Sequence, residues 1–582
     1  MAVLPLLEIA WRAVFQSGIP GSGPFVQHLT LWVGFLGAAI AARDGQLLSL
    51  ATGTMIPEGR WRHAASVVAA AVASGIAALL CRASLGMVLI EREAGQEIAA
   101  GVPVWVGQIV LPVAFALIAV RIVWRASPGW PGRVFAALGL VAGLWLSQAP
   151  GLLEGRNPWP GVALVLVGTA LGGPIFALLG GVAVLLFMKD AVPIAAMPVE
   201  AYRLAVSPTL AAIPLFTLTG FLLSESHASQ RLLRVFRALL GWMPGGTAIV
   251  VAVVCAFFTA FTGGSGVTIL AMGALLFQAL RQEAYRERFS LGLITACGSL
   301  GLLFPPSLPL ILYFVVSQQV AIEDLFLGGL LPGLLLLGLT AAWGVREGMR
   351  SHSPHARFEA KELAAAIWHG KWELLLPAVV LVAVFGGFAT LIEASALTVL
   401  YSFVIQCFVL RDLSVRRDLP KVLAETVVLV GGVLVILGAA MGFSSYMVTA
   451  EVPARLVEWT QQHIHSPRAF LLALNVFLLI VGCLMDIFSA TVVVVPLIIP
   501  IAAAFGIHPV HLGIIFVANL ELGYLTPPVG LNLFLSSYRF GRPLLEVTRA
   551  SMPMLLILAF GVLVITYVPW LTTGLLGLLG KP

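Results

Sequence analysis

The chain has 582 residues, of which 60% are hydrophobic and only 10% are charged. Soluble domains carry roughly 25% charged residues, so this composition excludes an ordinary soluble protein and predicts an all-α protein that crosses a membrane many times. The formal net charge of +6 fits an excess of Lys and Arg in cytoplasmic loops, and nothing in the sequence indicates nucleic-acid binding.

Residues 1–130 are predicted to form a small helical module. Apolar segments at about 25–42, 63–90 and 102–123 each approach the roughly 20 residues that a membrane-spanning helix needs. Residues 1–15 are too short to predict a span, and residues 1–10 lack the basic start and the small-residue cleavage site of a secretory signal peptide. The five cysteines form no CxxC pair, so we expect buried free thiols rather than disulfides or a zinc site.

Residues 131–156 are predicted to be a connecting helix and linker, because an apolar segment at 133–149 leads into the polar stretch 154–158. One long apolar segment follows at 159–188. We place the first half of a large module at 157–343, a cytoplasmic linker with a pair of scaffold helices at 344–421, and the second half at 422–582. Residues 346–371 and 411–421 are predicted to be basic cytoplasmic loops.

The large module is predicted to be duplicated, because residues match at nearly one spacing. Gly220 matches Gly442 with a shift of 442 − 220 = 222, and Gly301 matches Gly523 with the same shift. The Pro-Pro pairs at 305–306 and 527–528 are related by that shift as well. A repeat of this length indicates a duplicated membrane half rather than a solenoid unit.

Basic residues predict that the two copies are inverted relative to one another. In the first copy, three arginines lie at 281–288, before the Pro-Pro pair. In the second copy the corresponding stretch 506–511 has no Lys or Arg, and three arginines lie at 539–549, after the Pro-Pro pair. Because Lys and Arg accumulate on the cytoplasmic side, this swap predicts an inverted-topology repeat.

Both flanks of residues 246–280 are basic, so the chain is predicted to enter and leave the membrane there on one side. We therefore predict a re-entrant helical hairpin with its tip at 263–266, and a partner hairpin at 467–506 with its tip at 486–491. Each hairpin is followed by a helix broken at Pro-Pro, since proline removes a backbone donor. Broken helices at membrane depth must be buried in protein or line a cavity, so two matched breaks predict a transporter's binding site.

The hairpin tips and helix breaks supply oxygen atoms. Gly263 and Gly264 tolerate unusual backbone angles and leave carbonyl oxygens open, which suits Na+, whereas helix N-termini suit a carboxylate. Close helix packing through small residues and simple proline kinks are the alternative explanations. The predicted solute-binding residues, which carry a hydroxyl or amide near the tips and breaks, are Ser265, Thr268, Ser307, Ser489, Thr491 and Asn532.

Two carboxylates lie deep in apolar sequence, where a charge is costly unless it is paired or used. Asp486 is expected to ligate a cation or to anchor its hairpin. Glu521 is expected to serve the site or to tie two helices together, and Glu393 is expected to be structural. The histidines at 463, 465, 508 and 511 are predicted to be solvated loop residues, and the absence of a GxxxxGK[ST] motif argues against ATP as the energy source.

With these residues in view, the sequence resembles the fused small and large membrane subunits of a TRAP (tripartite ATP-independent periplasmic) transporter. The most specific motif is Glu521-Leu-Gly-Tyr-Leu-Thr-Pro-Pro-Val-Gly-Leu-Asn532. The other large-subunit motifs lie at 212–220, 261–265, 301–307 and 331–333, and weaker small-subunit motifs lie at 31–39 and 104–112. The resemblance therefore covers essentially the whole chain.

The resemblance implies a Na+-driven importer of an organic acid, such as a C4-dicarboxylate or sialic acid, in the bacterial inner membrane. It implies an elevator mechanism, a soluble periplasmic binding protein that delivers the solute, surrounding membrane lipid, and a fused chain that works as a monomer. It also places two sodium sites at the tips and breaks. Their residues would be Gly263, Ser265, Gly301 and Phe304 for the first site, and Asp486, Ser489, Gly523 and Thr526 for the second.

Two other functions remain open at this point. One is a Na+/anion symporter that needs no binding protein, which uptake by the chain alone would reveal. The other is an intramembrane enzyme that uses Asp486 or Glu521 as acid or base. Such an enzyme needs a second catalytic group at the same depth, and the sequence offers none clearly paired with either carboxylate, so we do not expect an enzyme.

Overall fold

The computed structural model describes residues 1–49, 59–350, 358–527 and 530–580. Over these residues the protein is nearly all-helical, and its paired strands are β1 (Glu97–Ala99) and β2 (Val102–Pro103), which form an antiparallel hairpin. The chain divides into two compact units, one formed by Met1–Pro214 with Ala424–Leu456 and the other by Leu215–Leu423 with Val457–Pro582. The domain boundaries given above rest on chain duplication, which is a different criterion, and they remain predictions.

The first unit is organised around one long helix, α3, which has 35 residues. Small residues let α3 and α6 approach closely: a Cβ added at Gly139 would lie 2.1 Å from the carbonyl oxygen of Ala71, and one added at Gly143 would lie 2.2 Å from that of Gly75. Such packing is typical of membrane helices. The helices of this unit are α1 (Val3–Phe15), α2 (Ser22–Asp44), α3 (Arg60–Ala94), α4 (Val104–Gln108), α5 (Val110–Arg125), α6 (Trp130–Gln148), a 3-10 turn (Pro150–Leu152), α7 (Trp159–Ala170), α8 (Ile175–Lys189) and α9 (Ala196–Ala205).

The prediction of one long segment at 159–188 is wrong, because the structure divides it into α7 and α8. The break contains Gly172, which has a φ of +103°, and Pro174, whose missing N–H favours a helix start. The two helices fold back on each other, since a Cβ added at Gly161 would lie 3.1 Å from the side chain of Leu185. Hydropathy alone does not reveal such a break, because glycine is common in apolar segments.

Three helices contain the positions at which the chain leaves one unit and enters the other. They are α10 (Ala212–Glu225), α19 (Leu419–Thr449) and α20 (Val452–His463). The second unit holds both predicted hairpins and both broken helices. Its remaining helices are α11 (Ala228–Leu240), α12 (Gly246–Thr262), α13 (Ser265–Gln282), α14 (Glu287–Cys297), a 3-10 turn (Leu300–Leu303), α15 (Leu308–Ser317), α16 (Ile322–Arg350), α17 (Ala360–Phe385), α18 (Leu391–Val404), a π turn (Ile405–Val409), α21 (Pro467–Leu484), α22 (Ile487–Ala504), α23 (Pro509–Gly523), α24 (Leu531–Phe540), α25 (Leu544–Tyr567) and α26 (Trp570–Leu578).

Helix bounds in the second unit repeat at the spacing seen in the sequence. Helices α13 and α22 have 18 residues each, and their first residues, Ser265 and Ile487, are related by a shift of 487 − 265 = 222. The first helix of each hairpin ends with the same offset, since 484 − 262 = 222. The starts of α14 and α23 keep it too, since 509 − 287 = 222. The two copies therefore share one order of elements.

Eleven helices in the described residues are long and apolar enough to cross a membrane, or twelve if the bent pair Glu287–Leu303 and Leu308–Ser317 counts as one span. Helix α1 is not among them, in agreement with the short segment predicted at 1–15. The basic loop predicted at 346–371 is wrong in extent, because α16 continues to Arg350 and α17 begins at Ala360. Residues 351–357 of that loop lie outside the described residues.

Several side chains in the second unit test the sequence predictions. Glu393 is structural as predicted, because it forms a capping box with Thr390 at the start of α18. The prediction that His511 is a solvated loop residue is wrong. Its ring lies 2.8 Å from the Thr572 hydroxyl and 3.2 Å from the Thr566 carbonyl oxygen, and it is buried. Because α23 begins at Pro509, His511 lies in the first turn of the helix rather than in a loop, and its side chain is buried.

The other three predicted loop histidines and the five cysteines differ in their exposure. His463 and His465 are exposed, as predicted, and His508 is half-buried at the N-cap of α23. All five cysteines are free, and four of them are buried, which confirms the expectation of free thiols. Cys81 is half-buried.

We predict that Gly301→Ala and Gly523→Ala destabilise the protein by about 1–3 kcal/mol each, the usual cost of overpacking. A Cβ at Gly301 would lie 2.2 Å from the carbonyl oxygen of Ala256, and one at Gly523 would lie 2.6 Å from the backbone of Gly482. The matched control is Gly338→Ala in α16, where nothing lies within 4 Å of an added Cβ. Thermal unfolding in detergent measures the effect, and equal unfolding temperatures for all three variants would contradict it.

Candidate functional site

The first helix break lies between α14 and α15. After the 3-10 turn Leu300–Leu303 the chain passes through Pro305 and Pro306, which are joined by a cis peptide bond, and the two helical parts differ in direction by 45°. Gly301 presses against the backbone of α12, as its contact with Ala256 shows. The Ser307 hydroxyl donates a hydrogen bond to the Leu302 carbonyl and so closes the turn.

The first hairpin tip consists of Gly263 and Gly264, between α12 and α13. Gly263 has a φ of +65°, a conformation that favours glycine, and it packs against Leu308 just after the break. Ser265, the first residue of α13, is 1% exposed, and its hydroxyl has no hydrogen-bond partner in the described part of the chain. One turn later the Thr268 hydroxyl lies 2.8 Å from that of Thr259.

Thr259 and Asn532 tie the first tip to the first break. The Thr259 hydroxyl donates to the carbonyl oxygen of Gly298 at 2.8 Å. The Asn532 side chain, which comes from the second copy, donates through Nδ2 to the Thr295 carbonyl at 3.1 Å and contacts the Ser299 hydroxyl at 3.3 Å. The opposite amide orientation would place two acceptors face to face, so Asn532 Oδ1 points away from Thr295, and it has no partner among the described residues.

The second hairpin tip is closed by Asp486. This residue is the N-cap of α22: its Oδ1 accepts hydrogen bonds from the N–H groups of Phe488 and Ser489, both at 3.0 Å. Its Oδ2 accepts from the Ser489 hydroxyl at 2.5 Å. Asp486 therefore caps and anchors the second helix of its hairpin, one of the two roles expected for it, and about one lone-pair position of its carboxylate remains unused.

Tyr524 completes the second tip, and the sequence analysis did not identify it. Its hydroxyl accepts a hydrogen bond from the N–H of Ile487 at 2.7 Å, and its carbonyl oxygen accepts one from the N–H of Asn532 at 3.2 Å. Tyr524 thus joins the second hairpin to Asn532, and Asn532 in turn contacts the first copy. Its place inside the motif at 521–532 is the signal that could have found it.

The second break lies between α23 and α24. Gly523 contacts the backbone of Gly482, as Gly301 contacts α12 in the first copy. The Thr526 hydroxyl donates to the Leu522 carbonyl at 3.0 Å, and the Thr491 hydroxyl donates to the Ile487 carbonyl at 2.6 Å. Of the predicted Pro-Pro pair at this break, residue 528 lies outside the described residues.

Glu521 lies in α23 near the second break. It is 1% exposed, and neither carboxylate oxygen has a hydrogen-bond partner in the part of the chain that the structure describes. The structure therefore gives no support to the interpretation that this residue ties two helices together. Burial of an ionised carboxylate without a partner is costly.

The structure brings the predicted residues together in two groups. Ser265, Thr268 and the Gly263 tip lie with Thr259 and Gly298, and Asn532 reaches the adjacent Ser299. Asp486 and Ser489 form the second group with Tyr524. The hydroxyls of Ser307, Thr491 and Thr526 donate to nearby backbone carbonyls, and Phe304 packs its ring against Gly333. Thr259 and Ser299 were missed because single hydroxyl residues in apolar helices carry no distinctive pattern.

Comparison with known proteins extends this picture. A family model described as the DctM component of tripartite ATP-independent periplasmic transporters matches residues 162–571, and one described as the DctQ component matches residues 1–130. The C4-dicarboxylate TRAP transporter large permease protein DctM of Pseudomonas aeruginosa is 34% identical over 402 residues, which cover 69% of this chain and 93% of the relative.

Two further relatives carry different names. The isethionate TRAP transporter permease protein DctMQ of Oleidesulfovibrio alaskensis is 32% identical, and the match covers 80% of this chain and 74% of the relative. The ectoine/5-hydroxyectoine TRAP transporter large permease protein UehC of Ruegeria pomeroyi is 30% identical, over 60% of this chain and 82% of the relative. All three relatives are permeases rather than enzymes.

We predict that Tyr524→Phe loosens the start of α22, because the buried N–H of Ile487 loses its acceptor at a cost of about 1–3 kcal/mol. Hydrogen–deuterium exchange of peptides that cover residues 484–490 should become faster. The matched control is Tyr313→Phe, a buried tyrosine whose hydroxyl lies 3.5 Å from the Pro509 carbonyl oxygen. Unchanged exchange at 484–490 in Tyr524→Phe, or the same change in Tyr313→Phe, would contradict the assignment.

Proposed function

Because the chain belongs to the family of tripartite ATP-independent periplasmic transporters, and joins the DctQ and DctM components in one polypeptide, we propose that it couples the import of an organic acid to Na+. TRAP permeases are multi-pass inner-membrane proteins that work with a periplasmic substrate-binding protein, and this chain is a permease of that kind. The coupling ion, the moving parts and the solute are the subjects of the proposal.

The observation that carries the proposal is a pair of unsatisfied oxygen atoms where the two copies meet. Ser265 Oγ and Asn532 Oδ1 are buried, and neither has a hydrogen-bond partner among the described residues. Both residues lie against the stretch 298–299, since a Cβ added at Gly298 would lie 3.5 Å from the Ser265 carbonyl oxygen and Asn532 contacts Ser299. A buried polar atom without a partner costs about 1–3 kcal/mol, so these atoms are suited to hold a ligand.

The donor set at the first group fits Na+. The side chains there supply hydroxyl and amide oxygens, and the tip and break would add carbonyl oxygens of Gly263, Gly301 and Phe304, of which that of Gly301 also accepts the N–H of Phe304 at 3.1 Å. Hard cations take oxygen ligands, whereas nitrogen and sulfur ligands suit transition metals. No group of three His, Cys, Asp or Glu residues that could hold a metal occurs within the described ranges, so the oxygen set is the relevant one there.

The second group also fits a monovalent cation. An ionised carboxylate offers about four lone-pair positions, and the hydrogen bonds of Asp486 use three of them, which leaves about one for a cation. The negative charge favours Na+ over any anion at this tip. Ser489, Gly523 and Thr526 would complete the set, in positions that match the first site at nearly the repeat spacing.

The repeat and its charges support inverted copies with re-entrant hairpins. Helix bounds repeat with a shift of 487 − 265 = 222, whereas the arginines change place between the copies. Glu287, at the start of α14 in the first copy, forms an ion pair with Arg542, after α24 in the second copy. Contact between these two residues agrees with the positive-inside prediction that both belong to one side of the membrane.

Packing within the second unit supports an elevator mechanism. Each broken helix is joined to the first helix of its own hairpin through glycine, at Gly301 and at Gly523. Across the copies, Gly266 of α13 faces Leu535 of α24, and Asn532 contacts Thr295. Hairpins and broken helices connected in this way would move as one body and carry the solute with them.

The solute is proposed to be a small organic acid, such as a C4-dicarboxylate, sialic acid or a similar carboxylate. Relatives are named for C4-dicarboxylates, isethionate and ectoine, so the family name alone does not fix the solute. The periplasmic binding protein, which is a separate chain, shares in this selection.

We predict that Asp486→Asn weakens the Na+ response by roughly tenfold or more, because it removes a charge beside the cation while asparagine still caps the helix. Thermal stabilisation of the purified chain by Na+, compared with K+, measures the effect. Glu393→Gln is the matched control, since it also changes a carboxylate near a helix N-terminus but keeps its capping box. An unchanged Na+ response in Asp486→Asn would remove this residue from the site.

A further inference from the structure

The first unit contains a cavity of about 380 Å³ at the end where α2 and α5 finish and α3 begins. Pockets of roughly 300–1,000 Å³ are typical of small-molecule sites. The break between α7 and α8 closes one side of it, and the N–H of Ile175 beside this break donates to the Leu48 carbonyl oxygen at 3.0 Å. All of the lining residues belong to the first unit, so the cavity lies apart from the hairpins and broken helices.

The lining of this cavity combines cationic and hydroxyl side chains with apolar ones. The polar residues are Ser49, Arg62, Ser66 and Arg125, and the larger apolar residues are Leu47, Ile122 and Leu171. Arginine binds phosphate and carboxylate groups through paired N–H donors, and serine hydroxyls add further donors. Apolar side chains in the same cavity suit a ligand that carries hydrocarbon next to its anionic group. The lining therefore fits an amphiphile with a negatively charged head.

Arg125 is held in position by the end of α2. Its Nη1 donates to the Arg43 carbonyl oxygen at 2.7 Å, and a Cβ added at Gly45 would lie 2.4 Å from its Nη2. A guanidinium has five N–H donors, and among the described residues the Arg125 side chain forms this one hydrogen bond. The other donors suit the oxygens of a phosphate group, which a planar guanidinium can bind in pairs.

The end of the unit that holds the cavity is strongly basic. Residues 42–66 and 121–133 contain six arginines and two acidic residues, so their formal charge is 6 − 2 = +4. One of the two acids, Asp44, is already paired with Arg43 at 2.8 Å. The positive-inside rule predicts that this end faces the cytoplasm. Basic pockets between membrane helices on the cytoplasmic side are suited to the headgroups of anionic lipids.

Tryptophan side chains mark the level of the membrane surface at the same end. Trp61 lies at the start of α3, Trp124 at the end of α5 and Trp130 at the start of α6, and each is more than half exposed. The Arg133 guanidinium lies 4.4 Å from the centre of the Trp124 ring. Because tryptophan favours the boundary between hydrocarbon and water, the cavity lies at the depth of lipid headgroups rather than in the hydrocarbon core.

We propose that this cavity binds the phosphate of an anionic phospholipid from the cytoplasmic leaflet, with Arg62 and Arg125 as its cationic contacts. A soluble phosphate ester carries the same head chemistry, but the apolar lining and the depth of the cavity favour the lipid. The bound lipid connects α2, α3 and α5 with the break between α7 and α8, and so stabilises the first unit. This site goes beyond the proposed transport function and is independent of the coupling ion.

The test is thermal unfolding of the full purified chain in detergent with three added ligands. They are phosphatidylglycerol, phosphatidylcholine with the same acyl chains, and soluble glycerol 3-phosphate. Phosphatidylglycerol has both the net negative charge and the hydrocarbon, so it should raise the unfolding temperature. Phosphatidylcholine lacks the net charge and glycerol 3-phosphate lacks the hydrocarbon, so the apparent affinity for each should be at least fivefold weaker.

Three variants assign the effect to the cavity. Arg62→Gln and Arg125→Gln each remove one positive charge, and each should weaken the apparent affinity for phosphatidylglycerol by roughly fivefold. Ser66→Phe fills the cavity without changing its charge, and it should weaken the same affinity. The matched control is Arg156→Gln, an exposed arginine beyond the far end of α6, which is about 28 Å long at 1.5 Å per residue. This control should keep the wild-type response.

The proposal is overturned by a wild type that phosphatidylglycerol does not stabilise, or that phosphatidylcholine stabilises equally well. An equal response to glycerol 3-phosphate would indicate a site for soluble phosphate esters and would also overturn it. The same holds if Arg62→Gln and Ser66→Phe keep the wild-type response, or if Arg156→Gln loses as much as they do. If Arg125→Gln does not fold because its bond to Arg43 is lost, Arg62→Gln and Ser66→Phe decide the outcome.

Discussion

In the apolar interior of a membrane, an unpaired backbone N–H or C=O group costs several kcal/mol, and this constraint decides where the chain can interrupt its helices. The interruptions lie at Gly263, at the Pro305-Pro306 pair, at Asp486 and after Gly523, and each is covered by another element of the second unit. Glycine contacts bring backbone against backbone. Hydroxyl side chains donate hydrogen bonds to backbone carbonyl oxygens beside the breaks. These contacts leave the side-chain oxygens of Ser265 and Asn532 without a hydrogen-bond partner among the described residues, and we propose that these oxygens bind ions or solute.

A duplicated framework has acquired two different tips. The helices of both hairpins end and begin at one offset, 487 − 265 = 222, so the backbone repeats closely. The side chains at the tips do not repeat: Gly264 stands before α13, where Asp486 stands before α22. The carboxylate of Asp486 caps the positive end of α22, whereas no acidic residue lies in the first turn of α13.

Much of this arrangement could be predicted from the sequence because its signals are local. Glycine, proline and an N-cap aspartate mark the helix ends within a residue or two, and the constant spacing reveals the repeat. The contributions of Thr259, Ser299 and Tyr524 could not be predicted, since their partners are brought together only by packing; Tyr524 bonds a residue 37 positions away. His511 was misjudged for the same reason. The sequence analysis missed the break between α7 and α8 because glycine and proline in an apolar segment do not by themselves distinguish a helix break from a continuous helix.

The central claim is that the two copies lie in the membrane with opposite orientations, and labelling of matched positions tests it most directly. Gln282 and Ala504 end α13 and α22, are both exposed, and are related by the repeat shift, since 504 − 282 = 222. In a chain with Cys81 replaced by serine, Gln282→Cys and Ala504→Cys are treated with a membrane-impermeant thiol reagent. We expect position 504 to react in intact cells and position 282 to react only after the inner membrane is opened. Reaction of both positions from the same side would contradict the inverted arrangement.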